Sequence, residues 1–317
     1  MTQTEAILDC PRPNAEHIAA DLAQHISRET LVRRDEPLAK RTTLRVGGPA
    51  DFYVEPASEE DLAAVLRFCG EHDLPRFILG RGSNVLVRDG GFRGVVICLA
   101  HPSFNRIEVT GQRLFCGAGA KLKSVADGAR RHGLTGLEFL DGIPGSVGGA
   151  LRMNAGAMGS RTFDVVEAVR FMDVEGQVHE RARDRVEVEY RSCPLFEDHI
   201  ALGAVLKGHP AAREVIEERM KTFSRKRRQS QPAAPSAGCI FKNPLTIPAG
   251  KLIDELGLKG ARVGGAVVSS AHANFIVTEP GAKAADVLAL IELIKQRAKA
   301  EGGIELETEV EIIGDEN

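Results

Sequence analysis

The chain predicts an α+β protein of several compact units, and three features carry that expectation. Its 317 residues, 43% of them hydrophobic, suffice for two or three separate cores. Between residues 42 and 91, a strand pattern, a helical pattern, a second strand and a glycine loop follow one another as a small α/β unit. Further on, two hairpin signals, across Gly111-Gln112 and Glu175-Gly176, bring antiparallel pairing.

Taken in order, residues 1–40 are polar with a helical pattern around His17 to Ile26, read as a leader helix. The stretch from Thr42 to Pro56 enters a strand after a Gly47-Gly48 turn. Ser58 with Asp61 resembles a capping box, and Leu62, Val65, Leu66 and Cys69 recur at helical spacing behind it. Arg76 to Leu79 is an apolar strand that opens into the loop Gly80 to Asn84. Ile107 to Thr110 pairs with Leu114 to Cys116, and Val165 to Val174 with Gln177 to His179. A helix from Leu122 to Arg131 closes on Gly133, and Ile200 to Leu206 is a strand. Residues 211–229 form a charged helix whose basic end, Arg225 to Arg228, reads as a solvated terminus. Helices follow at Ala249 to Leu256 and Ala282 to Ala300. The last strand is expected over Ile304 to Ile313, with Glu305, Glu307, Glu309 and Glu311 on one face.

Composition narrows the function classes. A formal net charge of -3 leaves no wide basic surface for nucleic acid or an anionic membrane. No basic segment precedes an apolar run at the amino terminus, and no run of about 18 uncharged apolar residues occurs, so a cytosolic location without membrane partner is expected. A monomer is expected. The six cysteines, Cys10, Cys69, Cys98, Cys116, Cys193 and Cys239, form no C-x-x-C pair. That argues against a disulfide framework and against a metal site, and makes most of them small buried hydrophobes.

Two loops carry the chemistry of a phosphate-bearing cofactor. Asp141 to Ala157 holds five glycines, with no acid after its first residue. Glycine lets main-chain N–H groups approach a diphosphate. Gly80 to Asn84 offers two more glycines, Arg81, and the donors of Ser83 and Asn84. Neither loop is a P-loop or a G-x-G-x-x-G turn. Downstream, Cys239 stands between Gly238 and an apolar pair, with Lys242 three positions on, where an ammonium can lower a thiol pKa or grip a phosphate. A buried core cysteine is the bland alternative.

These stretches together resemble a known family. Thr43-Leu-Arg-Val-Gly-Gly-Pro-Ala-Asp, Gly80-Arg-Gly-Ser-Asn-Val-Leu-Val, Gly136-Leu-Glu-Phe-Leu-Asp-Gly-Ile-Pro-Gly-Ser-Val-Gly-Gly-Ala, Met153-Asn-Ala-Gly-Ala, Tyr190-Arg-Ser, Pro235-Ser-Ala-Gly-Cys-Ile-Phe-Lys-Asn-Pro and Leu306-Glu-Thr-Glu-Val are similar to the UDP-N-acetylenolpyruvoylglucosamine reductases (MurB), in the right order. The short linker from Cys193 to Gln231 is similar to the family type that lacks an extra tyrosine-bearing loop.

The resemblance implies an enzyme that uses NADPH and FAD to reduce UDP-N-acetylglucosamine enolpyruvate to UDP-N-acetylmuramate for peptidoglycan. It implies a two-subdomain FAD-binding fold (PCMH/vanillyl-alcohol-oxidase-like), here residues 41–98 and 99–209, and a substrate-binding α+β domain at 210–317. FAD contacts carry over to Gly80, Arg81, Gly82, Ser83, Asn84, Val85, Ile143, Pro144, Gly145, Ser146, Gly148, Gly149, Asn154, Gly156 and Ala157. Arg191 and Glu309 carry over to the substrate carboxylate, and Cys239, where the family most often has serine, to protonation of C2 after hydride reaches the terminal carbon. Tyr190, Lys242 and Asn243 carry over to the rest of the substrate. The alternatives are another FAD oxidoreductase on the same scaffold, a nucleotide-sugar binding protein without turnover, or a hydrolase pairing Cys239 with His272.

Overall fold

The computed structural model describes residues 15–316, so Cys10 and the start of the leader region lie outside the described residues. The leader helix runs Ala15–His25 and lays Ile18 and Leu22 into the core that holds the helix Glu59–Glu71. Ser58 caps the latter by accepting the N–H of Asp61, a contact worth about 1 kcal/mol. The other half of the expected capping box does not form, because the Asp61 carboxylate is taken by other donors. Its carboxylate accepts instead from the hydroxyls of Ser27 and Thr30 at 2.6 and 2.7 Å, and so fastens the leader to this helix.

The first sheet takes Leu31–Pro37, Pro49–Glu55, Phe92–Ile97 and Arg76–Ile78 in that order, the first pair antiparallel and the others parallel. The second is antiparallel throughout: Val178–Ala182, Val166–Met172, Ile200–Lys207, Arg113–Gly117 and Ile107–Thr110. Both expected hairpins close where the sequence places them, with Thr110 opposite Arg113 and Met172 opposite Val178. Gly111 and Gly176 supply the positive φ those turns need, at 60° and 85°. The helix Leu122–Arg131 buries Val125, Ala126 and Ala129 in the same core as Leu114 and Leu206.

The charged helix spans Arg213–Ser230 and rests on the second unit, not the third. Met220 and Phe223 pack on that unit's core, and Arg130 Nη1 meets Glu217 at 2.8 Å. A separate core gathers Phe241, Ile253, Leu290 and Ile294 under the helices Ala249–Glu255 and Ala284–Gly302. Leu44 and Val46 also enter this core, so the segment that links the first two strands of the first sheet straps the first unit to the third.

The closing strand departs from expectation. Only Glu311–Ile313 is a strand, and it pairs parallel with Val85–Val87, directly after the Gly80 loop. The glutamates ahead of it do not share a face: Glu305 and Glu307 are exposed and pair with Lys299 and Lys242, whereas Glu309 and Glu311 turn into a trough. Alternation fails because residues 304–310 have no continuous neighbouring strand to hold the pleat, their one bridge being Phe241 with Thr308. Among the described residues, no helix is long and apolar enough to cross a membrane.

Candidate active site

Where the three units meet lies a trough of about 1890 Å³. Ordinary small-molecule pockets hold about 300–1,000 Å³, so this one has room for a dinucleotide and a second ligand together.

One wall is formed by the two glycine-rich stretches. The amides of Gly80, Arg81, Gly82, Ser83 and Asn84 find no acceptor among the described residues. Consecutive unpaired N–H groups of this kind are what phosphate oxygens require. Behind them the hydroxyl of Thr42 is buried, 6% exposed, and also without partner. Gly82 has φ 60°, and a Cβ there would stand 2.3 Å from the carbonyl oxygen of Arg41. A Cβ on Gly80 would reach to 3.0 Å of Ser146 Oγ, so the two stretches nearly touch through hydrogen atoms alone. This donor set, free of acid, fits the diphosphate of FAD.

The second stretch is not all loop, as its glycines predict. Val147–Arg152 is a short helix capped by Ser146, whose Oγ accepts from Gly149 N. Two glycines cost it about 1 kcal/mol each, and burial of Val147, Ala150 and Leu151 in the main core overrides that. Gly148 needs its bareness, since a Cβ would lie 3.2 Å from that of Ala118. Val85, Ile143, Pro144, Gly145, Ser146, Gly148, Gly149, Gly156 and Ala157 all line the trough together with Gly80 to Asn84. Asn154 does not. Its Nδ2 donates to Glu189 O at 3.0 Å and its Oδ1 accepts from Phe163 N, so its side chain is spent on holding a turn.

That turn presents Arg191 to the trough, where a Cβ on Gly156 of the second stretch would lie 3.4 Å from its Nη1. Glu189 N donates to Ser192 O at 2.9 Å, and Arg191 is left in the left-handed region at φ 60°, a strain of about 1–3 kcal/mol. Arg191 Nε stands 2.9 Å from Glu309 Oε1, yet the approach is off-line and the buried N–H makes no hydrogen bond. The pair is close in charge and poor in direction, and the guanidinium lines the trough as a cation for an incoming oxyanion.

Glu309 comes from 118 positions further along and is placed by its backbone: its N–H donates to Ile240 O at 2.7 Å, and its carbonyl accepts from Asn84 Nδ2 at 3.0 Å. The first bond seats it beside Cys239, and the second ties it to the cradle loop. Burial pushes the Glu309 carboxyl above the usual carboxylate range, while Arg191 pulls it back. Burial pushes the Cys239 thiol up to about 12, with Glu309 adding to the shift and Arg191 opposing it. The thiol is therefore a neutral acid at neutral pH. The expected influence of Lys242 on it is absent, because Lys242 Nζ turns to Glu307 at 3.2 Å.

The structure thus brings Arg191, Cys239 and Glu309 together and leaves the three expected substrate residues outside the trough lining. Tyr190 is 44% exposed and meets only the guanidinium of Arg191, 5.3 Å from its ring centre. Asn243 accepts the Ala249 N–H at the start of a helix. Arg152, Glu311 and Arg227, which sequence reasoning passed over, do line the trough. Arg227 was readable: Ile216, Met220, Phe223 and Arg227 fall at helical spacing on the buried face, not the wet one, and Arg227 Nη1 donates to Gly142 O at 2.6 Å. His272 is no partner of Cys239, since its Nδ1 accepts from Asn274 N.

Residues 50–181 match the profile of the FAD binding domain, on which the unpaired amides lie, and this fold and trough define a flavin-dependent oxidoreductase. Residues 231–313 match the C-terminal domain of UDP-N-acetylenolpyruvoylglucosamine reductase. The chain is 46% identical over 286 residues to the reductase of that name from Geobacter metallireducens, covering 90% of this chain and 95% of that one. It is 43% identical to its counterpart in Geobacillus thermodenitrificans, over 95% and 99% of the two chains. The crystal structure of the reductase (MurB) from Thermus caldophilus superposes with a TM-score of 0.80 at 39% identity, over 90% of this chain and all of that one. The chain belongs to the UDP-N-acetylenolpyruvoylglucosamine reductase family, as its motifs imply, and its fold is the expected FAD-binding domain followed by a C-terminal domain.

Proposed function

We infer that the trough seats FAD along its glycine-rich wall and, beside that wall, reduces the enolpyruvyl ether of UDP-N-acetylglucosamine enolpyruvate, with NADPH as reductant. One observation carries this: a thiol, an arginine and a buried carboxyl, distant in sequence, meet in a trough that five free amides also line, with Asn84 of that loop bonded to Glu309 O. Bound there, FAD supplies hydride, drawn from NADPH and delivered to the terminal carbon of the enolpyruvyl group.

The chain's own groups answer the charge this creates. Arg191, which lines the trough, takes the substrate carboxylate with its guanidinium. Glu309, whose carboxyl burial raises above the usual carboxylate range, donates in its protonated form to the same carboxylate as negative charge spreads into it. Cys239 then gives its proton to C2, becomes thiolate and is reprotonated from solvent, completing UDP-N-acetylmuramate. A thiol pushed to about 12 suits this order, since it does not ionise before charge develops. NADPH and the sugar nucleotide both need the flavin edge, so they take turns, in a ping-pong scheme. Role in peptidoglycan precursor synthesis, cytosolic location and action as a monomer belong to the same proposal, and the last is supported by the reacting groups coming from one chain.

An anaerobic stopped-flow experiment tests it. NADPH bleaches the FAD-loaded protein, and the enolpyruvyl nucleotide restores its colour. Cys239→Ser retains much of the turnover, whereas Cys239→Ala is reduced by NADPH but not reoxidised. An alanine variant that fails at the first step refutes the division of labour. Double-reciprocal plots run parallel, and intersecting lines would exclude alternation in one pocket.

A further inference from the structure

Glu309 and Glu311 both line the trough, and each is held by its own arginine. The second pair has no part in the chemistry proposed above. Arg152 Nη2 lies 2.7 Å from Glu311 Oε1, and its Nη1 donates to Phe196 O at 2.5 Å. Its own carbonyl accepts the N–H of Cys193 at 3.0 Å. Arg152 therefore joins three segments: the end of the glycine-rich helix, the turn that presents Arg191, and the C-terminal strand that follows Glu309. Glu311 is fixed once more by its N–H, which donates to Asn84 O at 3.0 Å.

The geometry points to Arg152 and Glu311 as a positioning pair for enolpyruvyl reduction, one that sets how far the Arg191 turn stands from Glu309. Arg191 holds a strained φ of 60° and an unsatisfied buried donor, and such a residue relaxes unless its surroundings over-determine it. Asn154 secures the Glu189 end of the turn. Arg152 secures the Cys193 end through its carbonyl, and its guanidinium, on Phe196 O and Glu311, locks that end to the strand that follows Glu309. A shift of about 1 Å in such a site costs up to about a hundredfold in rate. The pair itself is about a third exposed, so its absence acts on the reaction far more than on overall stability.

The inference rests on the function proposed above, and a double-mutant cycle on the holoenzyme tests it. In Arg152→Met, Glu311→Gln and the double variant, NADPH reduces the flavin at the wild-type rate. Reoxidation by the enolpyruvyl nucleotide slows about tenfold in each single variant, and the double is no slower, because the pair acts as one unit. Arg152→Lys, which keeps the charge, recovers most of the rate. Equal slowing of both half-reactions, multiplying effects in the double variant, or wild-type reoxidation in both singles would each overturn the assignment. If Arg152→Met does not fold, Glu311→Gln and Arg152→Lys carry the test. Wild-type protein that the nucleotide cannot reoxidise would sink the proposed function, not the pair.

Discussion

In the cradle wall of the trough, five consecutive amides and a bare Gly80 wait for a ligand, whereas in the reacting cluster that adjoins it Arg191, Cys239 and Glu309 hold one another through charge and burial. The first is made of backbone, so what matters is the absence of side chains. The second is made of side chains, each placed by a different segment. The cradle therefore breaks when atoms are added, and the reacting cluster breaks when atoms are removed.

The largest effect is expected from adding atoms. Gly80→Val drives two methyl groups into the space shared with Ser146, and FAD binding weakens by at least about a hundredfold, with the protein purified colourless but folded by circular dichroism. A yellow Gly80→Val protein would mean that the cofactor does not pass between these stretches.

Next comes removal. Arg191→Met slows flavin reoxidation by about 10²–10³-fold and leaves reduction by NADPH intact, as read by stopped-flow absorbance. Uniform loss in both half-reactions would make Arg191 part of the cradle and blur the contrast between the two regions.

A pH series sharpens the view of the same cluster. Burial raises the Glu309 pKa, so the neutral form persists above the usual carboxylate range and is lost as pH rises through the raised value. Reoxidation falls along that limb. In Arg191→Met the limb moves to higher pH, because the cation that lowers the pKa has gone. Glu309→Gln removes the limb altogether, and a profile unchanged by that substitution assigns the titration to another group.

The smallest effect is expected from Lys242→Ala. With its ammonium on Glu307 outside the trough lining, the KM for the sugar nucleotide changes by less than about twofold. A tenfold rise would restore Lys242 to the substrate.

How far the site was legible in the sequence follows the same division. The Gly80 and Gly145 stretches were visible because a backbone cradle is written contiguously, as a local excess of glycine and a lack of acid. Cys239 was marked only by its setting beside Gly238, with a buried core cysteine as the alternative, and Arg191 and Glu309 were assigned their roles through the family resemblance alone. Lys242 and Asn243 followed the motif in sequence but not in direction, since the chain between Cys239 and Asn243 turns its later side chains toward Glu307 and Ala249.

By itself the sequence determined the elements and the cofactor wall. Hydrophobic spacing, the Ser58 cap and the Gly111 and Gly176 turns are local, and each acts within a few residues of itself. Only the tertiary structure decided that the last strand returns to Val85–Val87, that Glu309 sits beside Ile240, and that the Arg213–Ser230 helix sends Arg227 inward. Those choices depend on which apolar faces find each other across more than 60 positions of chain, and burial, which sets the protonation of Cys239 and Glu309, exists only once they have.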